Sequence, residues 1–182
     1  MLKPLRKEYI DKLPNYYTCD FVPNFFYLFL NFIKINYQKC FSPKGTLING
    51  PLTIIPEINL DKRGFFQESW NKKDFNEVLS KNDQKEEFFV QDNHSKSIKG
   101  TLRGLHFQQT PDAQGKLVRC IKGEIFDVAV DLRRESNTYC QWVAQYLSSD
   151  NRKQLYIPEG FAHAFLVVSN YATVIYKVNN YY

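Results

Sequence analysis

The sequence predicts an all-β fold, a sandwich or small barrel of which the jelly roll is one solution, preceded by an N-terminal segment of different character. Three observations carry this. After Gly45, short apolar runs alternate with turn residues. Only one stretch there reads as helix, and no Gly-rich loop opens a helix, which removes the Rossmann and P-loop chemistries.

Taken in order, Leu52–Ile55 reads as a strand closed by Pro56, Asp61 and Gly64. Asp74 to Ser80 reads as a short helix. Glu87 to Gln91, Lys116 to Ile121 and Glu124 to Leu132 read as strands. In the last of these, Phe126, Val128, Val130 and Leu132 share one face, and Ile125, Asp127, Ala129 and Asp131 share the other. Lys122-Gly123 between two such runs marks a tight hairpin. Trp142 to Leu147, Gln154 to Ile157, Ala164 to Val168 and Ala172 to Val178 complete the series.

The chain divides near Ser42-Pro43-Lys44-Gly45. Residues 1–45 hold 11 aromatic residues, with neither a period of 3.6 nor one of 2 sustained. The strip Phe25 to Ile33 leaves several readings open: a short apolar helix, an interfacial segment, a partner-docking strip, an addition without a defined fold, or translated AT-rich DNA upstream of the true start. The expected organisation is therefore an aromatic-rich basic extension over 1–45 and one domain over 46–182.

Charge supports the same division. The formal net charge is +5, but residues 1–45 carry 7 Lys/Arg against 3 Asp/Glu, so the remainder is nearly balanced. A nucleic-acid binder carries its excess on the folded domain, so that class is set aside. No apolar run reaches the length of about 20 residues that a membrane-spanning helix needs. Cys19, Cys40, Cys120 and Cys140 form no close pair of the zinc or redox type, which points to reduced, structural thiols and a cytoplasmic setting.

Polar side chains interrupt the β pattern in a few places. Arg63 and Glu68 flank a turn and a short strand. Gln91, Asp92, Asn93 and His94 form a polar cluster after an apolar run. Arg103 and His106 stand three residues apart across Gly104. Lys116 opens a strand, His163 lies among Phe and Ala, and Tyr176 sits near the end of the last strand. Each alone reads more readily as a surface turn or a hydrogen-bonded core residue than as a functional one. Metal binding needs converging ligands, and His106-Phe107-Gln108 lacks the pair of His one residue apart that many metal-binding jelly rolls use, so no metal is expected.

Taken together, these blocks resemble one family. Arg-Gly-Phe-Phe-Gln-Glu-Ser from Arg63, Gln-Asp-Asn-His-Ser from Gln91, Leu-Arg-Gly-Leu-His-Phe-Gln from Leu102 and Gln-Gly-Lys-Leu-Val-Arg from Gln114 are similar to the dTDP-4-dehydrorhamnose 3,5-epimerases. The runs starting at Gly123, Ile157 and Tyr176 continue the likeness, which covers about residues 47–182.

The resemblance implies a cupin-type jelly roll that needs no cofactor and a dTDP-4-keto-6-deoxy-glucose substrate inverted at C3 and C5 through enolates. It also implies a homodimer in which N-terminal strands reach across to the partner. Carried onto this sequence, His106 matches the base and Tyr176 the acid. Arg63, Glu68, Gln91, Asp92, Asn93, Arg103, Lys116 and His163 match substrate-binding positions, with Lys116 suited to the C4 oxygen and Arg63 and Arg103 to the diphosphate. The family's base is oriented by an aspartate that lies beyond the Tyr-Lys strand, after a substrate-binding glutamate. The likeness ends at Tyr182, before both, so a domain incomplete at its C-terminus is expected, with Asp127 or Asp131 as candidate substitutes. The alternatives are an impaired or inactive cupin that binds a dTDP-sugar, and an epimerase acting at C3 or C5 alone.

Overall fold

Residues 35–181 are described by the structure, a computed structural model. The expectations for the strip Phe25 to Ile33 and for Cys19 lie outside the described residues. Twelve strands and one helix make up the described chain, in the order β1 (Asn36–Phe41), β2 (Leu47–Ile55), β3 (Asn59–Asp61), β4 (Gly64–Phe66), α1 (Lys72–Ser80), β5 (Gln91–Ile98), β6 (Leu102–His106), β7 (Lys116–Lys122), β8 (Glu124–Asp131), β9 (Trp142–Ser148), β10 (Gln154–Ile157), β11 (Phe161–Val167) and β12 (Tyr171–Val178).

Two antiparallel sheets face each other. One has six strands in the order β1-β2-β10-β7-β12-β5, and the other has four in the order β6-β11-β8-β9. The short β3–β4 hairpin forms a sheet of its own. Apart from β1-β2 and β8-β9, neighbours in both sheets are non-consecutive, the mark of a jelly roll, and the all-β cupin-type expectation holds.

One layer of core fills the gap between the sheets. Val118, Cys120, Val174 and Ala172 of the larger sheet meet Ile125, Ala129, Val143, Leu147 and Phe165 of the smaller. A second layer lies on the outer side of the larger sheet. There Phe75, Val78 and Leu79 of α1 cover Leu52, Ile54, Leu117 and Tyr156. Asn71 caps this helix, its side-chain oxygen accepting from the backbone N–H of Lys73 at 3.0 Å and Asp74 at 3.3 Å. Each buried Leu or Phe of this kind contributes roughly 2 kcal/mol.

The structure departs from the sequence reading in two places. Ser42-Pro43-Lys44-Gly45 is a hairpin turn, closed by Gly45 N–H donating to the Ser42 carbonyl at 2.8 Å, and β1 before it pairs with β2. The compact unit accordingly begins at Lys34, with Cys40 in the core. Glu87 to Gln91 is not a strand; Phe89 packs against the helix layer, and Asn76 holds the backbone of Glu87 through two hydrogen bonds. The strand starts where the apolar run ends, at Gln91.

On β8 the face with Ile125 and Ala129 is the buried one, and it carries Asp127 and Asp131, whose side chains have no exposed surface. Asp131 accepts from Arg133 Nε at 2.9 Å and Nη2 at 2.7 Å, and from the hydroxyls of Ser136 and Thr138, each at 2.7 Å. Burial alone would raise its carboxyl; the bonds from Arg133, Ser136 and Thr138 outweigh that and hold it at about 2. A depressed folded-state value gives stability that is present above the unfolded value and lost as pH falls through the folded one. Wild-type protein is therefore expected to lose about 2 kcal/mol through this group between roughly pH 4 and pH 2. Denaturant titrations at several pH values check this: Asp131→Asn should be less stable at neutral pH and lack that component, and parallel pH profiles for the two proteins would contradict it.

Candidate functional site

The gap between the sheets is filled by apolar side chains at one end and open at the other. The inward positions of β5 are Gln91, Asn93, Ser95 and Ser97, all too polar to complete a hydrophobic core. They leave a cavity of about 590 Å³, within the range of small-molecule sites. Gln91 and Asn93 line it from β5, Arg103, Leu105 and His106 from β6, and Lys116 from β7. His163 and Phe165 enter from β11 and Tyr176 from β12.

Arg103 and His106 both reach the cavity because β6 is irregular. Three residues apart on a regular strand, they would point to opposite faces. Against β11, however, His106 pairs with His163 and Arg103 with Phe165, so three steps on β6 match two on β11. The extra residue restores a common face. Gly104 permits this: it has φ +124°, and a Cβ there would lie 2.5 Å from the His163 carbonyl oxygen and 2.6 Å from Ala164 Cβ.

Neighbouring bonds fix several of these side chains. Arg103 Nε donates to Ser97 Oγ at 2.9 Å, and Gln91 Nε2 donates to Asn93 Oδ1 at 2.8 Å. Asn93 stands beside Tyr176 in the β5–β12 register. His163 Nε2 and Asp127 Oδ1 are 2.6 Å apart and both groups are buried. Asp127 Oδ2 is buried without a hydrogen-bond partner among the described residues.

Lys116 is electrostatically tied to this pair. Burial pushes its ammonium down from the ordinary lysine value, and the Asp127 charge opposes that. Within the described residues no hydrogen bond or ion pair engages Lys116 Nζ, so its donors face the cavity free. Neither does any described carboxylate bond to the exposed His106 ring. The two substitutes considered from the sequence are taken elsewhere, Asp127 by His163 and Asp131 by Arg133, Ser136 and Thr138.

Seven of the ten expected site residues thus come together: Gln91, Asn93, Arg103, His106, Lys116, His163 and Tyr176. Three lie elsewhere. Asp92 points to the opposite face of β5 and pairs with Lys177 at 2.8 Å. Glu68 accepts from Asn71 Nδ2 at 3.2 Å, beside the start of α1. Arg63 lies on the β3–β4 hairpin with its guanidinium 2.6 Å from Asp61 Oδ2. Ser95, Leu105, Phe107, Gln108, Gln114 and Phe165 also line the cavity and are not among the residues expected from the sequence. Strand alternation from Asn93 would have found Ser95; nothing in the sequence marks Gln114.

Comparison with known proteins agrees with this geometry. A family model described as dTDP-4-dehydrorhamnose 3,5-epimerase matches residues 45–182. A protein of that name from Salmonella typhimurium is 55% identical over 137 residues, covering 75% of this chain and 73% of the relative. The crystal structure of such an epimerase from Elizabethkingia anophelis superposes with a TM-score of 0.72 at 42% identity, over 81% of this chain and 75% of that one. A Legionella pneumophila epimerase in complex with dTDP-4-keto-L-rhamnose superposes with a TM-score of 0.71 at 45% identity, over 81% of this chain and 73% of that one. With the jelly roll, the cavity and the sequence match all in agreement, the chain belongs to the dTDP-4-dehydrorhamnose 3,5-epimerase family.

Proposed function

We infer that this chain is a carbohydrate epimerase that inverts C3 and C5 of dTDP-4-dehydro-6-deoxy-D-glucose, giving dTDP-4-dehydro-L-rhamnose for dTDP-L-rhamnose biosynthesis. Both carbons adjoin the C4 ketone, so loss of either proton gives an enolate. Inversion requires a base on one ring face and an acid on the other. The observation that carries the reading is the placement of the two candidates. His106 stands on the four-stranded sheet and Tyr176 on the six-stranded sheet, with the cavity between them.

Each remaining group has a role in this scheme. An imidazole is the side chain whose ordinary pKa suits proton removal near neutral pH. A phenol gives up a proton to the carbanion face and recovers it from solvent. The free ammonium of Lys116 is the cation beside which the C4 oxygen gains negative charge. His163, held by Asp127, presents a fixed ring to a substrate hydroxyl. Arg103, braced by Ser97, supplies a planar fork for the diphosphate. Gln91 and Asn93 present amides to the nucleotide. Three free thiols, Cys40, Cys120 and Cys140, fit the cytoplasmic setting of this chemistry.

The site is assigned to a homodimer. The β3–β4 hairpin pairs with neither main sheet and exposes Leu60, Phe65 and Phe66. It carries Arg63 away from its own cavity, where the family likeness gives that residue a substrate contact. A hairpin extended to a partner reconciles the two: Arg63 serves the neighbouring subunit's cavity. Glu68 and Asp92 then act as supports, Glu68 beside Asn71 and Asp92 against Lys177.

Solvent exchange tests the chemistry. In D2O with the dTDP-ketosugar, deuterium should enter at C3 and C5, with His106→Ala lowering the rate by about 100-fold or more. Tyr176→Phe should slow epimerised product more than exchange. Uptake at one carbon would make the chain a single-site epimerase, and binding without uptake would make it an inactive sugar-nucleotide binder.

Subunit mixing tests the shared site. His106→Ala and Arg63→Gln should each be impaired alone, yet mixing them should restore about a quarter of wild-type activity, because half the dimers then hold one intact site. Sedimentation showing only monomer, or no recovery on mixing, would contradict the dimer.

A further inference from the structure

A second cleft, of about 330 Å³, lies on the other side of the six-stranded sheet. Alternation on β7 separates it from the cavity already described. Lys116 lines the cavity and Val118 belongs to the inter-sheet core, while Leu117 belongs to the helix layer outside. Arg119 shares the face of Leu117 and stands between Gln154 of β10 and Ile175 of β12.

The cleft holds two guanidiniums and no acid. Arg119 and Arg152 line it together with Phe65, Ser69 and Ser149. Arg119 is half-buried, and no hydrogen bond or ion pair engages it within the described residues. Asp92 is the one carboxylate whose charge is felt at Arg119, and both its oxygens are bound by Lys177, at 2.8 and 3.1 Å. Burial pushes the Arg119 guanidinium down. A desolvated cation with no bonded partner of its own is costly, and an anion from outside would relieve that cost.

Arg152 is set in place for the same purpose. Its guanidinium carbon lies over the Phe65 ring, 4.0 Å from the ring centre, a contact that leaves its N–H groups unpaired within the described residues. The turn beneath it is rigid: Arg152 N–H donates to the Ser148 carbonyl at 2.9 Å, and Asn151 Oδ1 accepts from Ser148 N–H at 3.1 Å and Lys153 N–H at 3.0 Å.

We propose that the cleft between Arg119 and Arg152 is an anion subsite for a phosphate-class dianion. Two guanidinium forks supply the double positive charge, and the Ser69 and Ser149 hydroxyls are the neutral donors a tetrahedral oxyanion needs on its remaining oxygens. A carboxylate, with one charge and two oxygens, would be satisfied by one of the two forks. Inorganic phosphate and the terminal phosphate of a nucleotide share this chemistry. The subsite does not depend on the epimerase reading, since none of its residues lines the inter-sheet cavity.

The test uses an Arg103→Gln background, so that phosphate binding in the inter-sheet cavity is suppressed. Inorganic phosphate and deoxyadenosine monophosphate are titrated separately by calorimetry. One molar equivalent of phosphate should bind, and Arg152→Gln should weaken it by about tenfold or more, the loss of one charge-assisted fork. Arg119→Lys, which keeps the charge but not the fork, should fall between. Binding of phosphate alone identifies a free-phosphate site, and binding of both identifies a phosphomonoester site. Absence of binding, or binding indifferent to Arg119 and Arg152, would overturn the proposal. So would Arg152→Gln splitting a dimer without changing anion affinity, because the cleft would then hold an acidic group of a second copy.

Discussion

One extra residue in β6 sets the geometry on which the site rests. A regular strand would send Arg103 and His106 to opposite faces, one into the gap between the sheets and one into solvent. Gly104 absorbs the extra residue where β6 lies closest to β11, at a spot where even a methyl group would meet the His163 carbonyl and Ala164. Both side chains then face the same cavity, His106 opposite His163 and Arg103 opposite Phe165 in the register. The glycine is thus a packing requirement that determines where the proposed base stands.

The second constraint is electrostatic. Two sheets facing each other leave a gap that side chains must fill, and here one end is filled with Val, Ile, Leu and Phe while the other is lined with amides, imidazoles, a phenol and an ammonium. Asp127 is the one carboxylate buried at that boundary. Its cost is offset by His163 at 2.6 Å and by the charge of Lys116. The same pairing stiffens the His163 ring. The acid and base candidates stand on different sheets, and rigid strands rather than loops hold them apart.

Much of this was legible in the sequence, and the reasons for the rest are local. β7, β8, β10 and β12 declared themselves as short apolar runs between turn residues, because they fill the inter-sheet core and, on β7 and β10, the helix layer as well. β5 did not: its inward face is Gln91, Asn93, Ser95 and Ser97, and a strand that lines a polar cavity has no apolar period to read. The run Glu87 to Gln91 looked more like a strand, but Phe89 serves the helix layer and Phe88 is exposed. β1 was hidden because Ser42-Pro43-Lys44-Gly45 reads as a border as readily as a hairpin. The spacing of Arg103 and His106 argued against a shared face until the bulge at Gly104 was visible. Alternation puts Asp127 on one face with Ile125, Ala129 and Asp131, but neither the burial of that face nor its partner could be read, since alternation gives a face and not a neighbour across the sheet.

The central claim is that the sugar ring lies in the inter-sheet cavity with His106 on one face and Tyr176 on the other. A crystal structure of this chain with a dTDP-ketosugar or a stable dTDP-sugar analogue tests it directly. The account predicts the hexose between those two side chains, its C4 oxygen within hydrogen-bond reach of Lys116 Nζ and its diphosphate toward Arg103. A hexose bound elsewhere, or one with His106 and Tyr176 on the same ring face, would contradict it.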